Sequence, residues 1–431
     1  MSNQILEREI PGAVDIMGHA HPEAIVTVNL ENATRQEGGY FQREAAIDND
    51  GQAAQEEIRV VGVRNSAGPN GEDVVSELTG EVFLPADPEI FIYDDDGNLL
   101  KDGRWTYEWD AENRLVAMET RPELDEFLER IRIDFAYDWQ GRRLQKKVQI
   151  WDDALWQWDA VEERNFHYHG WNLVAELDDG GTVEKSYLWG LDLSGTLEGA
   201  GGVGGLLAIR NHVGNDVFYP AYDGNGNVTG LIDSADATVA AIYEYGPFGE
   251  SIRASGPAAD ANPFRFSTKY FDAETELFYY GYRYYSPDTG RWINRDPINE
   301  PGAIRLRADR RAKWEEELNL YAFVGNQGPN DYDPLGLSRG SSLQGCIKRA
   351  NDTFDECRAD CFKVGLAITC SSAVVGIGAS SVGVTVPVGA CITLWGAAKA
   401  IIVTLACEKG CEEDRDDDIR DCFRRFSPSV S

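Results

Sequence analysis

The chain has 431 residues, which is enough for two or three domains and a large core. It carries 40 basic and 73 acidic residues, and its formal charge of −33 argues against a nucleic-acid-binding surface and favours a soluble, acidic exterior. No nucleic-acid partner is therefore expected. Residues 1–337 hold nearly all of the net negative charge, because they contain 29 basic and 61 acidic residues.

Residues 1–88 predict a β-sandwich-like module. The stretches HPEAIVTVNLENATRQEGGYF and EEIRVVGVRN alternate apolar and polar residues between polar turns, as surface strands do. His19 and His21 form a His-x-His pair without a third ligand nearby, so a surface loop is favoured and no metal site is expected. The first residues show no basic segment followed by an apolar one, so no secretory signal peptide is predicted. We expect either another export route or a fragment of a longer protein.

A short motif recurs through the next two hundred residues: an aromatic residue, Asp, four mostly polar residues, then Leu, Val or Arg. The Asp carboxylate can cap the amides of the following turn, and Gly or Asn near its end supplies a left-handed position. The motif therefore predicts β-hairpins, although an ordinary β-sandwich with coincidental Asp-Gly turns is an alternative. YHGWNL, at Tyr168–Leu173, is a copy that lacks one residue. The five full copies are Tyr93–Leu99, Trp109–Leu115, Tyr137–Arg143, Tyr222–Val228 and Phe271–Leu277.

Two longer motifs, FDAETELFYYGYRYYSPDTGRWINRDP (Phe271–Pro297) and NLYAFVGNQGPNDYDPLGL (Asn319–Leu337), resemble the core signature of the Rhs and YD-repeat family. The resemblance implies a mainly β fold in which YD-repeat hairpins coil into a shell over residues 89–297. Residues 298–337 would end this core with a self-cleavage motif. In the family, the shell encloses a variable C-terminal segment, typically a toxin or effector, and the resemblance implies that residues 338–431 are that segment here.

The same resemblance implies an autoproteolytic activity of the aspartyl type and no other enzyme activity in the body. The cut would fall between Leu337 and Ser338, with Asp296 and Asp333 as paired carboxylates and Arg283 beside them. Such chemistry needs one protonated carboxyl to polarise the carbonyl and one ionised carboxylate to activate water. A guanidinium can hold the ionised partner or stabilise developing charge. No cofactor is implied.

The sequence departs from the family pattern in two places around these residues. A charged insert, Glu300–Leu318, separates Asp296 from the second motif, and Tyr284 follows Arg283 where some family members carry Asp. The alternative to catalysis is that Asp296 and Asp333 only cap turns before the prolines that follow them.

All eight cysteines lie in residues 338–431, and six of them form a mirrored pattern. Spacings of four and eleven residues each keep the cysteines of one arm near a single line along an α-helix. Three cysteine pairs have residue numbers with a constant sum, which is the register of two antiparallel helices joined by three disulfides. The polar arms would depend on these bridges for cohesion. The predicted pairs are Cys346–Cys422, Cys357–Cys411 and Cys361–Cys407, whereas Cys370 and Cys391 do not fit this register.

Between the arms, residues 364–406 carry a single charge, Lys399, and they suit two apolar helices with a turn near Pro387. A pore-forming hairpin that inserts in a target membrane is the favoured interpretation. A disulfide-stapled structural or adhesive module, with the apolar part buried in the shell or a partner, is the main alternative. An enzymatic toxin is disfavoured because this segment has no histidine, and the cysteine spacing does not suit structural zinc.

Together these features predict a polymorphic toxin carrier of the Rhs type, with a disulfide-stapled α-helical hairpin as its cargo. The alternative is a non-enzymatic cell-surface YD-repeat protein. The expected partners are a target membrane, the chain's own shell and an immunity protein. Disulfides imply an oxidising, secreted or cell-surface destination.

Overall fold

The computed structural model describes residues 3–297, 319–326 and 332–337. Within these ranges the strands pair antiparallel and the helical elements are short 3₁₀ turns, which confirms the prediction of a mainly β protein. The helical hairpin predicted for residues 338–431, with its disulfides, lies outside the described residues. The 3₁₀ turns are Glu37–Gly39, Pro122–Leu124, Phe266–Thr268 and Val324–Asn326.

The first ninety residues form two small sheets, one of three strands in the order β2-β6-β5 and one of four in the order β4-β3-β7-β8. Their apolar side chains, including Val26, Phe41 and Ile58, share a core of their own. A further pair, β1 with β9, crosses the predicted domain boundary at residue 88, which stays a prediction. The strands are β1 Glu7–Arg8, β2 Ala13–His19, β3 Ile25–Val28, β4 Glu31–Asn32, β5 Thr34–Arg35, β6 Tyr40–Ala46, β7 Ala54–Arg64, β8 Val74–Leu84 and β9 Glu89–Ile90.

The repeat region folds into one sheet of fourteen strands, β10 to β23, in which each strand pairs antiparallel with the next along the chain. One face of the strands carries the buried aromatic and aliphatic side chains, such as Ile133, Phe166 and Leu231, as period-two alternation requires. The strands are β10 Ile92–Tyr93, β11 Leu99–Lys101, β12 Trp105–Trp109, β13 Leu115–Thr120, β14 Ile131–Tyr137, β15 Arg143–Asp152, β16 Gln157–His169, β17 Asn172–Leu177, β18 Val183–Trp189, β19 Leu206–Asn211, β20 Asp216–Tyr222, β21 Val228–Asp233, β22 Val239–Tyr245 and β23 Ser251–Ser255.

Four copies of the repeated motif form turns with a common hydrogen-bond pattern, and the aspartates are Asp94, Asp110, Asp138 and Asp223. In each, Oδ1 of the Asp accepts the amide of the residue four positions later, at 2.7–3.0 Å. Oδ2 accepts a side-chain donor from that same later residue, an Asn or an Arg, at 2.7–2.9 Å. In three copies the residue three positions after the Asp is a glycine with positive φ, and in the fourth it is Asn113. The expected Asp-capped turn is thus present in these copies.

The fifth copy, at Phe271–Leu277, is different. Asp272 does not cap its turn with its carboxylate; its Oδ2 lies 2.5 Å from Nη1 of Arg143, and its Oδ1 lies 3.3 Å from Nζ of Lys146. Burial alone would raise the pKa of Asp272, but the two cations outweigh it and the pKa is lowered. The prediction of a capping role was therefore wrong at this position, because the side chain points into the core and must meet buried cations there.

A last sheet of four short strands closes the described body: β24 Tyr270–Asp272, β25 Leu277–Tyr279, β26 Tyr284–Ser286 and β27 Arg291–Trp292. Both of its faces are buried. Tyr279 and Tyr284 join the core of the fourteen-stranded sheet, whereas Phe278 and Tyr285 pack with Phe323 in a second core. This burial explains the nearly continuous aromatic run FYYGYRYY.

Candidate functional site

The three residues that the family resemblance singles out, Arg283, Asp296 and Asp333, lie together beside the last sheet. Arg283 precedes β26, Asp296 follows β27, and Asp333 belongs to the segment 332–337. Each is almost fully buried, with 2%, 2% and 0% of its surface exposed. Removing three charged groups from water costs free energy, so each of them must be paired with an opposite charge or hydrogen-bonded.

Asp333 organises the DPLGL segment through its own backbone. Its Oδ1 accepts the amides of Leu335, Gly336 and Leu337 at 3.2, 2.8 and 3.0 Å. Gly336, three positions after the Asp, has a φ of 75°. Tyr332-Asp333 therefore begins a turn of the same kind as the repeat turns, and the alternative role of capping is present in the structure.

The Arg283 guanidinium contacts both carboxylates with one nitrogen. Its Nη2 lies 3.5 Å from Oδ2 of Asp333 and 3.6 Å from Oδ2 of Asp296. Its Nη1 donates to the Leu320 carbonyl at 3.3 Å, and its Nε donates to the Gly336 carbonyl. The guanidinium also stacks over Trp292, with its Cζ atom 4.1 Å from the ring centroid, and this stacking orients the guanidinium plane.

The segment 319–326 forms one wall of this site. The Asp296 amide donates to the Leu320 carbonyl at 3.2 Å, and the Trp292 amide donates to the Tyr321 carbonyl at 3.1 Å. The two motifs that flank the predicted insert are thus docked on one another. The insert itself, Glu300–Leu318, lies outside the described residues.

Tyr284, the position at which the sequence departs from the family pattern, faces away from the site. Its hydroxyl lies 3.0 Å from the hydroxyl of Tyr137 and 3.4 Å from Nη1 of Arg143, both in the larger core. Because side chains alternate along a strand, residues 284 and 285 point to opposite faces of the sheet. The Tyr284 side chain therefore lies on the face of the sheet that joins the larger core.

Sequence reasoning missed a buried lysine and a glycine-rich loop on the other side of the DPLGL segment. Lys269 donates from Nζ to the Pro334 carbonyl at 2.5 Å and to the Gly201 carbonyl at 2.8 Å. Burial lowers the pKa of Lys269 to about 8, against the opposing influence of the Asp333 and Asp192 carboxylates. The sequence EGAGGVGG, residues 198–205, was the available signal for a loop that lets another backbone approach closely.

Gly201 is required at this contact. Its φ is 62°, and a Cβ at this position would overlap the Pro334 carbonyl. Asp192 holds the loop in shape, because its Oδ2 accepts the amides of Ala200 and Gly202 at 2.6 and 3.2 Å. Several long-range partners thus fix the DPLGL segment.

Leu337 is the last residue of this segment that the structure describes, and Ser338 on the other side of the predicted cut lies outside the described ranges. Among residues 3–297, 319–326 and 332–337 there is no group of three or more metal-ligating side chains. No helix in the part of the chain that the structure describes is long and apolar enough to cross a membrane.

The geometry defines a β-hairpin protein with a buried carboxylate–guanidinium–carboxylate cluster around the DPLGL segment. No family model matches the chain. It is 31% identical over 252 residues to the tRNA3(Ser)-specific nuclease WapA of Bacillus spizizenii, a match of 58% of this chain and 9% of that protein. It is 28% identical over 269 residues to the double-stranded DNA deaminase toxin A of Burkholderia cenocepacia, a match of 59% of this chain and 17% of that one.

A solved structure of TcdB2-TccC3-TEV aligns with 73% of this chain and 18% of its own, at 16% identity and a TM-score of 0.41. The chain thus spans less than a fifth of the length of each of these three proteins. The sequence matches relate it to toxin proteins and are consistent with the Rhs-like character of its motifs.

Proposed function

We propose that this chain is the carrier part of an Rhs-type toxin, which cuts itself after Leu337 and so releases its C-terminal segment. The observation that carries the proposal is the burial of Asp296, Asp333 and Arg283 around the DPLGL segment. A turn could be capped at the surface at far lower cost, since buried charges lose their hydration. Reactive sites use buried, interacting charges of this kind to set the protonation states of their groups.

In the proposed reaction, water adds to the Leu337 carbonyl, the bond to the Ser338 nitrogen breaks, and that nitrogen receives a proton. Three backbone amides and the Arg283 guanidinium donate to or face the Asp333 carboxylate. Such donors favour the ionised form of a carboxyl group, and this form can take a proton from water. The proton that Asp333 takes from water then passes to the departing Ser338 nitrogen, and Asp296 is the second carboxyl group of the site. Arg283 donates to the carbonyl of Gly336, the residue before Leu337, and so positions the chain next to the cut.

The released tail of residues 338–431 is, in this proposal, a membrane-active hairpin delivered to a secreted or cell-surface destination. Its apolar stretch between cysteine-bearing, charged arms supports that activity, and its lack of histidine disfavours catalysis on nucleic acid. The nuclease and deaminase activities named for the relatives are properties of those proteins. An immunity protein that neutralises the tail and the target membrane are the proposed partners.

Self-cleavage is tested by intact-mass measurement of the full chain and of Asp296→Asn and Asp333→Asn variants. The wild type should divide into residues 1–337 and a tail of 94 residues, while both variants stay whole. Asp223→Asn is the matched control, because it makes the same change in a repeat turn far along the chain from the cluster. A wild-type chain that stays whole for days at neutral and mildly acidic pH would refute the proposal.

The cleaved wild type also decides what the tail does. A membrane-active tail should separate from the body and release dye from liposomes, and it should gain helical signal when they are added. A tail that stays bound to the body and leaves liposomes intact would instead favour the structural, non-toxic alternative.

A further inference from the structure

Lys269 joins the DPLGL segment to the glycine-rich loop, and its Nζ donates to one carbonyl of each, Pro334 and Gly201. Neither bond is to a carboxylate, which is unusual for a buried ammonium. The Lys269 ammonium thus donates to two backbone carbonyls, and the Asp192 and Asp333 carboxylates are the opposite charges that act on it.

We propose that Lys269 is a positioning residue for the self-cleavage site, which clamps Pro334 on the Gly201 loop so that residues 335–337 stay seated on Asp333. The proposal rests on the self-cleavage proposed above. The segment would then be held by three charged groups: Asp333 on three amides, Arg283 on the Gly336 carbonyl, and Lys269 on the Pro334 carbonyl. A cation that grips a carbonyl makes a stronger hydrogen bond than a neutral donor would.

Lys269 can hold Pro334 in place only if the glycine-rich loop, residues 198–205, is itself rigid. Asp192 provides this rigidity through its bonds to the Ala200 and Gly202 amides, which flank the Gly201 carbonyl that Lys269 holds. The Tyr282 amide donates to the next carbonyl, that of Leu335, at 3.1 Å. The segment is thus fixed at consecutive carbonyls, those of residues 334, 335 and 336.

A cavity of about 40 Å³ borders both Lys269 and Leu335, and aromatic side chains line much of it. This volume is enough to hold water. The titratable groups that face Lys269 are the Asp192 and Asp333 carboxylates and a set of tyrosines. Burial raises the pKa of each of these tyrosines, which keeps them neutral between pH 7 and 9: Tyr168, Tyr270, Tyr279 and Tyr280.

The cleavage rate should consequently change over the pH range in which Lys269 loses its charge. Its ammonium is charged below pH 8 and loses its charge as the pH rises through about 8, since burial lowers its pKa to that value. A neutral amine still donates, but more weakly, by about 1 kcal/mol. We expect the cleavage rate to fall about fivefold between pH 7 and pH 9.5.

The experiment uses the full chain, collected as inclusion bodies, dissolved in denaturant and refolded by dilution at pH 6.5–9.5. Cleavage is followed by intact mass for the wild type, Lys269→Gln and Lys269→Met. Lys269→Gln keeps a neutral donor, so it should cleave more slowly than the wild type below pH 8 and should lack the decline above pH 8. Lys269→Met removes the donor and should be slowest at every pH.

Hydrogen exchange of residues 332–337 gives a second measurement that does not need the cut. Protection of the Leu335, Gly336 and Leu337 amides should fall about tenfold in Lys269→Met and less in Lys269→Gln. A wild type that is never cleaved would refute the self-cleavage. Hydrogen exchange would still test whether Lys269 holds residues 335–337 in place. Unchanged protection in Lys269→Met, or a pH decline retained in Lys269→Gln, would overturn the role of Lys269.

Discussion

Replacement of Asp333 by alanine tests whether one carboxylate orders the whole DPLGL segment. In the folded chain, its Oδ1 accepts the amides of Leu335, Gly336 and Leu337. Its Oδ2 faces the Arg283 guanidinium. The substitution therefore removes the acceptor of three donors in a buried turn, and it removes one of the two carboxylates beside a buried cation.

Each buried donor that loses its acceptor costs about 1–3 kcal/mol. Water that enters the opened turn can satisfy part of this loss, so we expect the segment to open more easily by about 3 kcal/mol, the low end of the total for three donors. Such a change corresponds to a factor of about 100 in the local opening equilibrium. Global stability should change less, because the two aromatic cores do not include this turn.

Asp333→Asn is the matched comparison, since its amide oxygen can still accept the three amides while the negative charge is gone. Hydrogen exchange should show a protection loss of about 100-fold at residues 335–337 in Asp333→Ala and of at most about tenfold in Asp333→Asn. Both variants should fail to cleave. If Asp333→Ala retains wild-type protection, the Asp333 hydrogen bonds do not order the segment and the reasoning fails.

Two further outcomes follow from the same chain. Asp272→Asn should lower the free energy of unfolding by about 3–5 kcal/mol in denaturant titrations, because Arg143 and Lys146 lose their buried partner; a loss below 1 kcal/mol would contradict this. In the tail, non-reducing peptide mapping should find Cys346–Cys422, Cys357–Cys411 and Cys361–Cys407, the middle bridge contributing about 2–4 kcal/mol, whereas a Cys357–Cys361 bridge would exclude the ladder.

The sequence predicts the hairpins well because each turn is a local structure. The spacing from Asp94 to Asn98, or from Asp223 to Asn227, contains the capping carboxylate, the capped amide and the left-handed glycine within five residues. Local physics is enough to specify such a turn. YHGWNL, the copy that lacks one residue, forms a two-residue turn in which His169 pairs with Asn172.

The long-range contacts could not be read from the sequence. Asp272 follows an aromatic residue as the capping aspartates do, but Thr275 and Glu276 replace the Gly or Asn and the Asn or Arg of the capped turns. Its actual partner, Arg143, is 129 residues away, and the motif does not indicate it. Lys269 and Gly201 are 68 residues apart, and nothing in their neighbourhoods indicates that they meet at Pro334. Arg283, Asp296 and Asp333 came from family resemblance, and their common contact depends on three separate segments.

The Asp333 turn differs from the repeat turns at one position, and the difference has a chemical consequence. In the repeats, the residue four positions after the Asp is Asn or Arg, and its side chain occupies Oδ2. After Asp333 that residue is Leu337, which has no donor in its side chain, so Oδ2 faces Arg283 instead. Replacing a polar residue by leucine therefore redirects a carboxylate oxygen from its own turn to a buried cation. A repeat hairpin turn becomes a candidate reactive site in this way, and the same leucine is the residue after which the chain is proposed to be cut.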